Sequence, residues 1–291
     1  MAWIDPYLIP AANGVAYGLL LFTVAAGLTL AFGVANVLNL AHGTLYIAGG
    51  YAACVLTDGS WWGLILAAIV GTAVGGAMGA GLSIAEAPLT DRGHLPQALL
   101  TFGIATAATT VATELFGTDE LRSKTPSGLN GSVSIAGHSY PAYRLVFIVV
   151  GAVLALGIWL LVTRTRLGAR VRATADDRSM VATMGLSPRG VLIAVLSAAG
   201  ALAGFAGALG APILGPGEGI ANTVLLQSLI IVVLGGLGSI GGAFLAALAV
   251  GQVQSLGVVL APTWTPYLLF AAMGLALLIR RPAALGLASA R

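Results

Sequence analysis

The sequence predicts an all-α, polytopic integral membrane protein, and three observations support this fold class. No Asp, Glu, Lys or Arg occurs at positions 6–57 or 219–279, whereas a water-soluble domain needs charged residues over its wetted surface. Charged residues make up only 8% of the chain, against roughly a quarter in ordinary globular proteins. The mean hydropathy of +0.98 is strongly positive. Most of the chain is therefore expected to lie in a bilayer.

Nine apolar segments are candidate membrane spans, each of which needs roughly 20 residues. They are Asn13–Gly33, Leu38–Leu56, Trp62–Ala85, Pro96–Phe116, Tyr143–Thr163, Gly190–Leu214, Thr223–Leu237, Gly242–Leu260 and Pro266–Ile279. Polar residues and glycines interrupt the second segment, so it is expected to be broken or re-entrant. Only a glycine-dense stretch, residues 235–242, separates the seventh from the eighth. We expect eight to ten spans in a single transmembrane domain that covers residues 1–291.

The distribution of basic residues predicts the orientation. Six arginines fall in the loop 164–189, and basic loops stay on the cytoplasmic side. This loop and the C-terminus are therefore expected in the cytoplasm, and counting back through nine spans places the N-terminus outside. The first ten residues lack the basic region of a signal peptide, so we expect the first helix to be retained. The external placement of Arg122, Lys124 and Arg144 is the weakest point of this topology.

The chain lacks the residues that ATP hydrolysis, metal binding and enzymatic catalysis require. Lys124 is the only lysine and follows Ser123 rather than Gly, so the chain has no P-loop, and any ATPase must be another polypeptide. Ion-coupled carriers usually bury carboxylates, and Glu114 is the only acid that we place near a span interior. One cysteine and three scattered histidines predict no metal site, and no catalytic motif is present. The basic surplus follows the membrane rule and does not indicate a nucleic-acid partner.

Polar residues stand where the first two spans meet. Asn36, Asn39 and His42 must find partners or a water-filled cavity, because hydrocarbon offers neither donor nor acceptor. They line a translocation path or hold open the helix break that forms one. Alternatively, they bond between helices and form a structural turn. The sequence leaves both interpretations open.

Glycines at four-residue spacing form smooth faces on two spans. Gly71, Gly75 and Gly79 lie on the third span, and Gly200 and Gly204 repeat the pattern on the sixth. Small residues let helix backbones approach closely in membranes. The faces are expected to pack against each other within the chain or against a partner subunit.

The segment Arg172–Gly185 is predicted to be one short helix inside the basic loop. Asp176 and Asp177 lie near its expected start, where acids suit the helix dipole, and Gly185 is expected to end it. Apolar side chains, namely Ala173, Met180, Val181 and Met184, alternate with the charges of Arg172 and Arg178. Such a helix fits a groove on a partner protein or lies against lipid headgroups. Composition leaves these two about even.

Three segments carry a family resemblance. Asn39-Leu40-Ala41-His42-Gly43 resembles the Asn-Phe-Ala-His-Gly signature of the permease subunits of branched-chain amino acid ABC transporters. Residues 233–243 resemble the same family's glycine-rich signature, and residues 172–186 are similar to its cytoplasmic loop. The three motifs occur in the family's order over most of the chain, which looks closest to the LivH type.

The resemblance implies a function and partners. It implies the ABC importer permease architecture, for leucine, isoleucine and valine or for small solutes such as urea and short amides. A binding protein outside the membrane would deliver the solute, and a second, homologous permease would complete the pore. Two cytoplasmic ATPase subunits would carry the ATP and Mg, so this chain would be non-catalytic and hold no cofactor. Its location would be the cytoplasmic (inner) membrane.

The resemblance also divides the candidate residues into two sets. The translocation path or helix break comprises Asn36, Asn39, His42, Gly43, Gly235, Gly236, Gly238 and Ser239. The ATPase coupling helix comprises Arg172, Ala173, Asp176, Asp177, Arg178, Met184 and Gly185. No catalytic or metal-binding residues are expected.

Two other function classes remain as alternatives. A stand-alone carrier or channel would need an ion-coupling group, for which the sequence offers Glu114, and it would transport when reconstituted alone. A membrane enzyme acting on a lipid would need catalytic acids or a nucleophile with its base, and no such set is evident.

Overall fold

The structure is a computed structural model in which residues 5–35, 39–135 and 137–280 are described. Eleven α-helices account for most of these residues, together with one 3-10 helix at Ala87–Arg92 and a two-stranded antiparallel hairpin. The helices are α1 (Asp5–Ala35), α2 (His42–Leu56), α3 (Trp61–Glu86), α4 (His94–Phe116), α5 (Ala142–Arg164), α6 (Arg166–Asp176), α7 (Arg178–Thr183), α8 (Pro188–Gly210), α9 (Ile220–Gly235), α10 (Ile240–Leu260) and α11 (Thr265–Arg280). The strands are β1 (Ser132–Ile135) and β2 (His138–Pro141).

Each of the nine predicted spans coincides with one helix of the described residues. Six of these helices, α1, α3, α4, α5, α8 and α10, are long and apolar enough to cross a membrane, and α9 is apolar but shorter. The predicted and observed ends agree within about three residues, except that α1 begins earlier, α2 begins later and α8 ends earlier. The fold class is confirmed as a polytopic, all-α membrane protein.

Two of the shorter helices, α2 and α9, lie inside the bundle. With 15 residues, α2 is about 22 Å long at 1.5 Å per residue, less than the roughly 30 Å of a bilayer core. Its first residue, His42, packs beside Val24 in the middle of α1. The start of α2 also meets the start of α9, where a Cβ added to Gly43 would lie 1.9 Å from the Ala221 carbonyl oxygen. Within the described residues the second segment is helical only from His42 onward, and α2 continues without interruption through Gly43, Gly49 and Gly50; its re-entrant course stays a prediction.

The glycine faces of α3 and α8 pack against each other. A Cβ added to Gly75 would lie 2.2 Å from the backbone oxygen of Gly200, and one added to Gly204 would lie 2.1 Å from that of Gly71. The two backbones are therefore in direct contact, which residues with side chains would prevent. The sequence left open whether these faces pack against each other or against a partner subunit. The structure shows that they pack against each other.

Polar contacts identify which helix ends lie together. Arg144 at the start of α5 donates a hydrogen bond to Asn13 Oδ1 near the start of α1. Ser255 of α10 donates to the carbonyl of Pro10 over 2.6 Å. We call this side of the bundle the Asn13 end. The hairpin and the α8–α9 loop lie there too, where the Leu121 amide donates to the Pro216 carbonyl over 2.9 Å.

The opposite side, which we call the Arg172 end, holds α6 and α7. There the last turn of α5 contacts α6, and the end of α1 contacts the α9–α10 turn through Gly33 and Gly238. The two ends thus separate the basic loop 164–189 from the cavity described below.

Candidate functional site

Asn39 forms the turn that starts α2. Its Oδ1 accepts the amide hydrogen of Ala41 over 3.0 Å, and its backbone oxygen accepts that of His42 over 3.3 Å. This is the local turn that Asn favours because its side chain mimics a backbone acceptor. The residue is only 1% exposed. In this conformation it supports the structural interpretation, while Asn36 lies outside the described residues.

His42 fixes the position of α2 against α1. Its Nε2 lies 3.0 Å from the carbonyl oxygen of Val24, and because a carbonyl can only accept, Nε2 carries the proton. The ring is 0% exposed, and its Nδ1 has no hydrogen-bond partner among the described residues. His42 therefore faces protein and no open path in this state.

We expect Asn39→Ala to lower stability, because it removes the acceptor that starts a buried helix. Leaving the buried Ala41 amide without its acceptor typically costs about 1–3 kcal/mol. The thermal midpoint of the purified protein in detergent measures the effect. Asn222→Ala, at an exposed position of α9, is the matched control and should leave the midpoint unchanged. An unchanged midpoint in Asn39→Ala together with lost transport would instead assign Asn39 to the path.

The glycine-rich signature forms the turn between α9 and α10. Gly236 and Gly238 have φ of +95° and +76°, a region that glycine adopts without steric cost. Ser239 caps α10, since its hydroxyl accepts the Gly242 amide over 3.1 Å. Gly235 lies against Ala243 in the same turn. These residues let the chain reverse direction within a short turn between α9 and α10 at the Arg172 end.

The two sets of path candidates lie at different depths along α1. His42 packs beside Val24, whereas Gly238 packs beside Gly33. Nine residues of helix separate these two levels, or about 13 Å. The structure brings Asn39, His42 and Gly43 together and keeps the glycine turn apart from them.

The expectation of one helix over Arg172–Gly185 is wrong. The segment contains the end of α6 and all of α7, and Asp177 interrupts them with an extended φ of −152°. Its Oδ1 accepts the amides of Ser179 over 2.8 Å and Met180 over 3.0 Å. A side chain that satisfies the next helix's first amides competes with continuation of the preceding helix.

The charge of Asp177 matches this role. Hydrogen bonds from the Ser179 hydroxyl and the Met180 amide lower the pKa of its carboxyl below the usual value. The ionised carboxylate then lies at the start of α7, as the helix dipole favours. Asp176 was expected at a helix start and instead ends α6, where its charge has no such benefit.

Two other residues of the predicted contact surface contact the rest of the chain. The guanidinium of Arg172 donates to the carbonyl of Val162 near the end of α5, so it braces α6 against α5. Val181 is 2% exposed and packs α7 against the rest of the chain. Ala173 is exposed on α6. The side chain of Arg178 lies outside the described residues.

Met180 of α7 and Met184, which follows the last residue of α7, are exposed methionines. Their exposed fractions are 63% and 70%. Gly185, with φ of +79°, ends the helix as predicted. Its amide donates to Ala182 and that of Leu186 to Val181, the bond pair of a Schellman motif. The methionines are thus held on a short helix capped at both ends.

Glu86 is a buried carboxylate that the sequence analysis missed. It is 4% exposed at the end of α3, and its Oε1 has no partner among the described residues. Glu114 was expected to be the only acid near a span interior, but it is exposed on α4. Glu86 stood at a predicted span boundary, and only the packing of the bundle shows that it is covered.

A cavity at the Asn13 end was also missed. It has a volume of about 350 Å³ and lies between α1, α5, α10 and the α8–α9 loop. Asn13, Tyr17, Arg144 and Gln254 line it. One signal was visible, because Arg144 departs from the positive-inside rule. A second signal was the presence of polar residues such as Tyr17 and Gln227 in otherwise apolar spans, since such residues often mark function. In the structure Tyr17 donates a hydrogen bond to Gln227 over 2.6 Å.

Comparisons with known proteins agree on one family. A model of the family described as the permease component of branched-chain amino acid transport systems matches residues 11–278. The high-affinity branched-chain amino acid transport system permease protein BraD of Pseudomonas aeruginosa is 27% identical, over 96% of each chain. The corresponding protein LivH of Escherichia coli K12 is 26% identical, over 94% of each chain.

A second kind of permease matches less of its own length. LivM of Salmonella typhimurium, a permease protein of the same named transport system, is 30% identical over 76% of this chain and 57% of its own. No solved structure matches.

Proposed function

The chain belongs to the family of permease components of branched-chain amino acid transport systems, and from this premise we propose that it is the transmembrane subunit of an ATP-driven, binding-protein-dependent importer. The solute is a branched-chain amino acid or a related small molecule. The chain itself is non-catalytic, and ATP with Mg binds the two ATPase partners. Residues 1–291 form one transmembrane domain with a coupling loop at 164–189.

The observation that carries the proposal is the exposure of Met180 and Met184, in α7 and at its C-terminal cap. Caps at both ends hold this helix in place, yet the two methionine side chains remain mostly uncovered by the described chain. Flexible methionines suit contact with a hydrophobic groove on a partner. A groove on each ATPase subunit would receive this helix and transmit the motion that ATP binding causes.

The orientation follows from the same assignment. The Arg172 end faces the cytoplasm of a bacterial-type inner membrane, where the ATPases are, and the C-terminus lies on that side. The Asn13 end and the N-terminus face outward, where a solute-binding protein releases its ligand. The arginines of loop 164–189 support this orientation.

A second permease subunit would cover α4. Gln97 and Thr101 are the buried residues of α4 in this chain, and its exposed face includes Gly103, Ala107 and Thr110. Small residues of this kind permit close helix packing in a membrane. The match to LivM-type proteins supports a homologous partner of this kind.

A stand-alone carrier is the second candidate, and Glu86 is the observation in its favour. A buried carboxylate without a partner is the kind of group that takes up a coupling proton or cation. In the importer, Glu86→Gln should leave ATP-driven uptake largely intact. In the carrier, the same substitution should abolish uptake.

We expect the tagged chain, purified from its native membrane in mild detergent, to bring two ATPase subunits and a second permease with it. Mass spectrometry of the purified material identifies the partners, and proteoliposomes with and without internal ATP test energy coupling. A monodisperse lone chain that transports without ATP would overturn the importer and leave the carrier. Uptake by Glu86→Gln in the same proteoliposomes distinguishes the importer from the carrier without relying on which partners co-purify.

A further inference from the structure

The cavity at the Asn13 end combines one cation with an apolar wall. Its volume of about 350 Å³ falls within the roughly 300–1,000 Å³ typical of small-molecule sites. Arg144, Asn13 and Tyr17 form its polar side, and Ile213 and Val258 belong to its apolar side. Three helices and the α8–α9 loop contribute, so the site forms only when the bundle is assembled.

Arg144 is the charge of this cavity and has no counter-charge. It is half-buried, and its hydrogen bond to the Asn13 amide oxygen leaves most of its five N–H donors unused. No Asp or Glu side chain of the described residues lies within ion-pair distance of it. A guanidinium removed from bulk water without an acid is costly. Its planar donors match a carboxylate in a bidentate arrangement.

The other polar groups of the cavity are neutral. Tyr17 donates its hydroxyl hydrogen to Gln227, and Ser255 donates to Pro10 over 2.6 Å. Both hydroxyl oxygens can still accept a hydrogen bond, as can the amide oxygen of Gln254. These acceptors can hold an ammonium group, but without the strength of a carboxylate. A solute on its way through a membrane must also leave, and moderate binding permits this.

From these groups we infer that the Arg144 cavity is a transit site for solutes that carry a carboxylate beside an aliphatic side chain, and that it disfavours neutral solutes such as urea and short amides. The inference rests on the proposed importer function and narrows its substrate class. A neutral amide would leave the guanidinium without its anion. The apolar wall of Ile213, Val258 and Val259 would receive the branched side chain.

Protection of a single cysteine tests the inference. Cys54 is the only cysteine, so Cys54→Ser with Val258→Cys places one thiol at the cavity wall in the complex purified from its membrane. We expect L-leucine to slow labelling of this thiol by a maleimide reagent. Isovaleramide, which has the same branched skeleton without charge, should not slow it.

Variants of the cation connect this protection to Arg144. Arg144→Gln should raise the leucine concentration needed for protection about tenfold or more, since a hydrogen bond to a charged group is lost. Arg144→Lys keeps the charge without the planar donors and should retain part of the protection. Arg122→Gln is the control, because Arg122 is an exposed arginine at the same end, 3.5 Å from Glu120. Size-exclusion profiles confirm that each variant is folded.

Three results would overturn the inference. Equal protection by leucine and isovaleramide would remove the role of the carboxylate, and unchanged protection in Arg144→Gln would remove that of the cation. Slower labelling in phosphatidylglycerol than in phosphatidylcholine nanodiscs, with no effect of leucine, would identify a lipid-headgroup site. ATP-driven uptake is measured on the same complex. If uptake persists while protection fails, the transit site is wrong and the importer stands.

Discussion

Gly75→Ala is expected to destabilise the protein strongly, whereas Gly81→Ala on the same helix should not. The new Cβ at position 75 would lie 2.2 Å from the Gly200 backbone oxygen, and nothing lies within 4 Å of a Cβ at position 81. Overpacking of this kind costs about 1–3 kcal/mol or more, and here no flexible side chain can yield. At Gly81 the change removes a weak helix former and should be neutral or slightly stabilising.

The thermal midpoint of the purified protein in detergent distinguishes the two substitutions. We expect a clear drop for Gly75→Ala and none for Gly81→Ala. Gly200→Ala is the reciprocal test, because its Cβ would lie 2.1 Å from the Gly75 oxygen. If the two α3 variants melted at the same temperature, the direct backbone contact between α3 and α8 would be wrong.

The apolar helices were predictable because their positions depend mainly on composition. A bilayer requires long apolar segments whatever their neighbours, and each of the nine predicted segments coincides with a helix, six of them long enough to cross a membrane. The late start of α2 fits the polar Asn39 that precedes it. The depth of α2, beside the middle of α1, was not predictable. It depends on where Gly43 meets Ala221.

The cytoplasmic segment shows the limit of local rules. Two adjacent acids both suit a helix start, and the sequence does not say which one caps and which one precedes the cap. Asp177 became the cap and divided the segment, because its side chain satisfies the amides of Ser179 and Met180. Arg172 bonds the last turn of α5, a contact that no spacing within the loop predicts.

The cavity and Glu86 could not be located from the sequence because both depend on which helices meet. Arg144 was visible as an exception to the charge rule, yet its meaning required the contact with Asn13, 131 positions earlier. Glu86 stood at a predicted span end, where an acid is usually solvated. The bundle instead covers it.

Met180→Asp is expected to abolish binding of the ATPase partners while the chain still folds and inserts. Charge reversal at Arg172 or Asp177 would not isolate this contact, because both residues hold intramolecular hydrogen bonds. Met180 holds its side chain in solvent and lies in the first turn of α7, where an acid suits the helix dipole. The new carboxylate should therefore leave α7 intact. In an apolar groove it would lose water without gaining a partner.

The loss of ATPase binding in Met180→Asp can be bounded from the burial of the methionine that is replaced. Burial of one such side chain contributes about 1.5–3 kcal/mol, so its loss alone weakens binding about tenfold or more, and the buried charge adds to this. Co-purification of the ATPases and ATP-driven uptake should both fall to background, with an unchanged thermal midpoint. Val133→Asp is the matched control, since Val133 is an exposed apolar residue of β1 at the opposite end. Retained ATPase in Met180→Asp would exclude α7 as the coupling surface, because a charge at its exposed apolar position would then cost no binding.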